Sequence, residues 1–253
     1  MLPDERRERI AELVTARDGC SVSELAAELD VSETTIRRDL DELAERNSID
    51  RTHGGAMPVV ERMSAYEQRT IRNRAAKEAI AQPAVEEIHE GQAVLFDAGS
   101  TTLAVSRKVP EEYQFSAVTN NPPVAHQLDE GEAEVRLTGG RYMKEHHLLV
   151  GRLAEMAIEG MNFDLAFVGL EGIDADGGLT TAYHEAARIK ELMVANSRRV
   201  VVVADHSKFG SRSIVQFCEF SEVDVVITDQ PVPGELREVL LEAGVEVVDD
   251  LVR

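Results

Sequence analysis

The chain has 253 residues, of which 43% are hydrophobic and 29% charged, and a formal net charge of −20 at pH 7. That size and balance fit one large or two modest globular domains and exclude a disordered chain, and no apolar run approaches the ~20 residues that span a bilayer. The first ten residues, MLPDERRERI, hold no apolar segment of signal-peptide type, and Cys20 and Cys218 stand far apart, so a cytoplasmic protein without a disulfide framework is expected.

Of the 27 basic residues only five are lysines: Lys77, Lys108, Lys144, Lys190 and Lys208. Acidic residues are spread along the chain and form no tail. That spread suits a halophilic surface in molar salt, where the Debye length falls to ~3 Å and self-repulsion is screened.

Residues 1–57 read as a winged helix-turn-helix DNA-binding domain. Ile10, Leu13 and Val14 recur at helical spacing, and Asp18-Gly19 ends that helix. Ser23 can cap a second helix with Leu25, Ala26 and Leu29 inside. Asp30-Val31 turns the chain, and Ser32 can N-cap a third helix by accepting from the Thr35 N–H. Ile36, Leu40 and Leu43 form the buried stripe of that helix. Thr34, Thr35, Arg37 and Arg38 therefore fall on its other faces, in the N-terminal half that a recognition helix offers to base edges. Ile49 to Ala56 runs as a strand into Gly54-Gly55, which suits a β-wing with Arg51 and His53 against phosphate. The candidate DNA-binding residues are Ser32, Thr34, Thr35, Arg37, Arg38, Arg51 and His53. The competing reading of Arg37-Arg38 is a solvated pair bridged to Asp41 and Glu42. Residues 1–56 carry eight basic and fourteen acidic residues, 8 − 14 = −6. The usual basic footprint is missing, so binding has to rest on a few local contacts.

Residues 58–90 read as a linking helical segment with Ile71, Ala75, Ile80, Val85 and Ile88 as its stripe. Pro83 is expected to kink or break that helix. From 91 to 253 short valine-rich strands (93–96, 115–118, 134–138, 165–168, 200–204, 225–228) alternate with helices such as 181–196 and 234–243. This is the pattern of a largely parallel α/β sheet covered on both faces. Ligands of such sheets bind beyond the C-terminal strand ends. There the chain places Asp97-Ala98-Gly99-Ser100-Thr101-Thr102, a small-residue loop suited to a phosphate. It also places Asn120, Gly139-Gly140, Gly169 and Lys208, a lysine kept in a chain that otherwise uses arginine, as a point charge for an anion.

VSETTIRRDLDEL followed by RTHGGA resembles the N-terminal signature of the DeoR family of repressors over residues 3–58. Asn47 stands where that family usually has glycine, and asparagine tolerates the left-handed turn. DAGSTT, TNN, TGG, FVGLEGIDADGGLTT and ADHSKFG follow in the family's order across 91–230. They resemble its sugar-phosphate sensor domain, similar in fold to ribose-5-phosphate isomerase. The resemblance implies that Ser100, Thr101 and Thr102 grip a phosphate, that Asp97, Asn120 and Gly140 face the sugar, and that Lys208 closes the site. Gly177 to Thr181 fits a turn before the helix bearing Glu185 and Lys190.

The expectation is a transcriptional repressor of sugar-metabolism genes. It would bind a double-stranded DNA operator as a homodimer or homotetramer and be released by a phosphorylated sugar such as fructose 1-phosphate. No catalytic residue, cofactor, metal or membrane is expected. The alternative is a sugar-phosphate isomerase using Asp97, Glu185, Asp205, His206 or Lys208, for which a winged helix-turn-helix has no use. A metal site through His146-His147 with His184 or His206 lacks supporting cysteine-histidine spacing.

Overall fold

The computed structural model describes residues 3–17, 19–45, 48–52, 54–58, 65–249 and 251. The chain packs as two compact units, Met1–Arg72 and Asn73–Arg253. The boundary falls inside the 58–90 span read as a link.

The first unit holds α1 (Pro3–Ala16), β1 (Cys20–Ser21), α2 (Val22–Leu29), α3 (Glu33–Glu45), β2 (Ile49–Arg51), β3 (Gly55–Pro58) and α4 (Ala65–Ile71). Ile10, Leu13, Val14, Leu25, Ile36, Leu40 and Leu43 meet in one core, as their spacing predicts, joined by Ile49 and Ala56 from the strands. The α2 cap is Ser21, not Ser23. Its hydroxyl accepts from the Glu24 N–H while the Glu24 carboxylate accepts from the Ser21 N–H. Ser23 lies two residues too late, already inside α2, because β1 delivers the chain straight into the helix. The turn after α2 is made by Asp30 in the left-handed region, φ 52°. β3 lies between β1 and β2 in an antiparallel sheet. Gly55 is required there, since a Cβ would sit 2.0 Å from the Cys20 carbonyl oxygen.

In the second unit α5 (Arg74–Val85) carries Pro83 inside it. The expected break is absent. Pro83 lies in the last turn, where the missing N–H costs a single bond and few residues remain to be displaced. The buried residues of this helix are Ala76, Lys77, Ile80, Ala81, Ala84 and Val85, while Ala75 is exposed. Then follow β4 (Ala93–Phe96), α6 (Ser100–Ser106), β5 (Ser116–Thr119), α7 (Pro122–Leu128), β6 (Glu134–Leu137), β7 (Arg141–Met143), β8 (Leu148–Val150) and α8 (Arg152–Ile158). The chain continues through β9 (Leu165–Val168), β10 (Gly172–Asp174), β11 (Gly178–Thr181), α9 (His184–Ala195), β12 (Val200–Val203), β13 (Val215–Cys218), β14 (Val225–Ile227), α10 (Gly234–Glu242) and β15 (Glu246–Val248). Residues 178–181, read as a turn, form β11 instead. Thr180 and Thr181 pair with β13 and Gly178 to Thr180 with β10.

Among the described residues the main sheet has seven strands in the order β15-β14-β12-β9-β4-β5-β6, all parallel. Every residue of β9, β12 and β14 is buried, so both faces of the sheet are covered. The chain starts at β4, moves outward through β5 and β6, then returns to β9 and moves the other way. The topological switch point therefore lies between β4 and β9, where an open α/β sheet leaves a crevice. No described helix is long and apolar enough to cross a membrane.

Candidate nucleic-acid interface and ligand crevice

On α3 the cap is as the sequence predicts. The Thr35 N–H donates to Ser32 Oγ at 3.2 Å, and the two hydroxyls share a further hydrogen bond at 2.9 Å. Thr34, Arg37 and Arg38 are exposed. Arg37 is bridged at 3.0 Å to Glu33, one turn back, and not to Asp41 or Glu42. Those two carboxylates are taken by Arg51 and Arg7. Arg51 donates to Asp41 at 2.9 Å and to the Gly55 carbonyl at 3.2 Å, which braces the wing against α3. Arg38 and Thr34 have no hydrogen-bond or ion-pair partner among the described residues. His53 lies outside the described residues.

The orientation of α3 depends on a residue that periodicity did not mark. Asp39 is 1% exposed and accepts from Arg6 at 2.6 Å and from Arg7 at 3.2 Å. The side-chain hydrogen bond to Asp39 holds the Arg6 guanidinium above its ordinary range. Two helical arginines are thus committed to fixing α1 on α3. They are unavailable to DNA.

In the second unit the strand register lines up the remaining candidates. Phe96 lies opposite Thr119 on one side and Phe167 on the other, and Thr119 lies opposite Leu137. Asp97, Asn120, Thr138 to Gly140, and Gly169 therefore follow on neighbouring strand ends. Asp205 to Lys208 follow β12, the next strand over.

The geometry separates these residues into two groups. Asp97 is buried and accepts from Lys190 Nζ of α9 and, at 3.0 Å, from the Gly169 N–H. Lys190, also buried, donates to the Gly169 carbonyl at 2.9 Å. One carboxylate, one ammonium and one peptide unit thus tie β4, β9 and α9 together at the switch point. Thr102 is fully buried, and its hydroxyl turns back to the carbonyls of Asp97 and Gly99 at 2.7 and 2.8 Å. It shapes the loop. At Gly140, φ 111°, an added Cβ would sit 2.5 Å from the Val150 carbonyl oxygen, so the close passage there needs glycine.

The second group is unspent. The Ser100 and Thr101 hydroxyls open α6, whose N-cap Gly99 supplies no side chain. Neither hydroxyl has a hydrogen-bond partner among the described residues. Asn120 is 2% exposed; its Nδ2 donates weakly to the Leu149 carbonyl at 3.4 Å, and its Oδ1 is buried with no donor. A buried acceptor left unmade costs free energy and fits a ligand donor. Gly139 has open space at its Cα and φ 76°. Lys208 is partly exposed and has no ion-pair partner among the described residues.

Three residues near this edge were named in the sequence without the roles the structure gives them. Lys190 sits between Ile189 and Met193 in a buried helical stripe, and a lysine in such a stripe was the available signal. Asp205 accepts from the Ser207 N–H at 3.1 Å and from Asn73 Nδ2 at 2.8 Å. Burial pushes its carboxyl up, but the hydrogen bonds from Ser207 and Asn73 and the Lys208 charge outweigh that and hold it below the usual range. His206 donates its backbone N–H to the buried Asp229, and its Nδ1 lies 2.7 Å from the other carboxylate oxygen. No group of three or more metal-ligating side chains occurs among the described residues.

Two family models match: the DeoR-like helix-turn-helix domain over residues 6–61 and the DeoR C terminal sensor domain over residues 72–230. The chain belongs to the DeoR family. A member from Haloferax volcanii, the HTH-type transcriptional regulator GlpR, is 49% identical over 255 residues, covering 100% of both chains. The glycerol-3-phosphate regulon repressor of Escherichia coli strain K12 is 35% identical over 249 residues, covering 98% of this chain and 99% of its own. A solved ribose 5-phosphate isomerase A from Methanocaldococcus jannaschii covers 54% of this chain and 55% of its own at 16% identity and a TM-score of 0.40. As a DeoR-family member the chain is a DNA-binding transcriptional regulator and not an enzyme.

Proposed function

We propose that this regulator is a repressor of sugar-metabolism genes, released from its operator by a phosphorylated sugar bound at the strand ends of the second unit. The observation that carries this reading is the set of unspent groups along one sheet edge: the Ser100 and Thr101 hydroxyls, Asn120 Oδ1 and the Lys208 ammonium. The hydroxyls and the N–H groups opening α6 take the phosphate, with Gly99 and Gly139 leaving room. Asn120 Oδ1 accepts from a sugar hydroxyl. Lys208 supplies the cation. Asp97, Thr102, Gly140 and Gly169 hold the frame and leave the ligand contacts to the others.

On the DNA side Thr34 faces base edges, Arg38 neutralises a phosphate, Arg37 joins it by releasing Glu33, and Ser32, Thr35 and Arg51 position the helix and wing. His53 is assigned as a further phosphate contact. The operator complex is a homodimer or homotetramer, whose paired helices meet half-sites about 34 Å apart. The −20 charge and the scarcity of lysine support a halophilic cytoplasm as its setting.

A thermal-shift panel in molar KCl tests the sensor assignment. Glycerol 3-phosphate, the fructose phosphates and inorganic phosphate should separate, with one sugar phosphate raising the melting temperature above the anion alone. The Ser100→Ala variant should lose that shift. A flat panel sinks the effector reading. The glycerol-3-phosphate regulon repressor puts a three-carbon phosphate in the panel, and fructose 1-phosphate remains the hexose candidate.

A further inference from the structure

We infer that Asn73 is the positioning residue through which the loop carrying Lys208 acts on the junction between the two units. This rests on the effector reading above. Arg72 is the last residue of the first unit and Asn73 the first of the second. Asn73 has φ 54° and ψ 36°, the left-handed region, which is strained for any residue with a Cβ. Asparagine tolerates that region better than most, but tolerance does not select it. Its side chain stands at the N-cap position of α5 and makes no cap hydrogen bond. The amide is committed elsewhere: Nδ2 donates to Asp205 Oδ1 at 2.8 Å, across 132 residues of sequence.

Asp205 is 2% exposed and caps the short turn His206–Lys208 by accepting from the Ser207 N–H. One carboxylate oxygen therefore serves both the turn that presents Lys208 and the residue that sets the direction of the chain into α5. An anion held by Lys208 draws on the charge that offsets Asp205. If the turn shifts to meet it, the acceptor of the Asn73 amide shifts too. Freed of that bond, Asn73 has no local partner to keep it left-handed, and the backbone at the junction can take its more common conformations. This gives a bistable element biased from the ligand side, which is what allosteric coupling requires.

The test uses the full-length chain and a duplex selected against it from a random-sequence library. DNA affinity is measured with and without saturating glycerol 3-phosphate or fructose 1-phosphate, and sugar-phosphate affinity is measured separately by calorimetry. Asn73→Gly keeps the left-handed turn and deletes the amide. Asn73→Asp keeps a side chain that tolerates the turn and faces Asp205 with a second carboxylate. Both should bind duplex and sugar phosphate within about threefold of the unmodified chain. The effect of the sugar phosphate on DNA affinity, commonly about 5- to 150-fold in coupled systems, should fall below about threefold in both. Undiminished coupling in the two variants overturns the inference while leaving the effector reading intact. If the unmodified chain binds neither sugar phosphate, the effector reading falls first and this inference with it. Loss of the melting transition in both variants makes Asn73 a folding residue and also overturns the coupling role.

Discussion

DNA binding by this chain should respond weakly to salt. Each phosphate neutralised by a protein cation contributes about −0.9 to the slope of log affinity against log salt. Among the described residues of the helix-turn-helix and wing, 3–58, Arg6 and Arg7 are committed to Asp39, Arg9 to Glu12, Arg17 to Glu28, Arg37 to Glu33 and Arg51 to Asp41. Arg38 is left. Counting Arg38 alone, or Arg38 with Arg37 after release from Glu33, gives about one or two phosphates per protomer. A dimer should then show a slope between about −2 and −4, against about −5 to −9 for a protein that makes six to ten phosphate contacts. Arg38→Ala should take about 2 from the dimer slope as well as weakening binding. Arg37→Ala should change it less, since its guanidinium already has a carboxylate. The assay is fluorescence anisotropy on one duplex, with KCl from about 0.2 to 2 M, a range over which exposed charges are progressively screened. A slope of about −6 or steeper would refute the count and require a basic surface that the described arginines do not provide.

Three further outcomes follow from the buried polar groups. Lys190→Met strands the Asp97 carboxylate without its cation and should cost about 3–5 kcal/mol in denaturant melts; a loss below about 1 kcal/mol would argue against a structural pair. Because the folded Asp205 carboxyl is held below its ordinary value, its stabilisation is present above that value and lost as pH falls through the folded one. Asp205→Asn should therefore flatten the fall of melting temperature below about pH 4, and superimposable acid limbs would count against this. The Cys218 thiol is pushed up to about 12 by burial, with Glu222 and Glu219 adding to it, and burial also raises Cys20. A thiol-specific reagent at about pH 8 should label neither cysteine until denaturant is added, and stoichiometric labelling of the native chain would contradict their burial.

The sequence carried the architecture because each element was set by a local rule. Ile36, Leu40 and Leu43 turned one face of α3 inward, Ser32 fixed its start, and the apolar runs at 165–168, 200–203 and 225–227 had the continuous burial of parallel strands. Its errors also have local causes. Ser23 and Ser21 are both good caps, and only the pairing of β1 with β3, a contact between Cys20 and Ala56, decides where α2 begins. Residues 178–181 look like a turn until β10 and β13 supply partners on both sides. Pro83 breaks a helix only if residues enough follow it. The roles within the crevice were least legible, because they depend on which groups are already bonded. Nothing near Asp97 in sequence announces Lys190, 93 residues away. Nothing near Thr102 says that its hydroxyl turns inward.

The two lysines at the strand ends show why that distinction matters in so acidic a chain. Lys190 lies in a buried slot, with its ammonium on Asp97 and the Gly169 carbonyl and 5.5 Å from the centre of the Phe217 ring. A compact ammonium on an unbranched stem suits such a slot, whereas a planar guanidinium would need space and further acceptors. Its charge is cancelled on the spot, so the switch point adds no net attraction for an anion. On the proposed reading that attraction has to come from Lys208 and from backbone N–H groups, as attraction for DNA comes chiefly from Arg38. Among the described residues most cations of both units are tied to carboxylates, which fixes the geometry and leaves Arg38 and Lys208 unpaired at the proposed places of contact. Such a site gains little from long-range steering, and molar salt screens that steering in any case. What remains is short-range hydrogen bonding, which salt weakens least. In the proposed halophilic setting, selection for a ligand or an operator can then operate in molar salt.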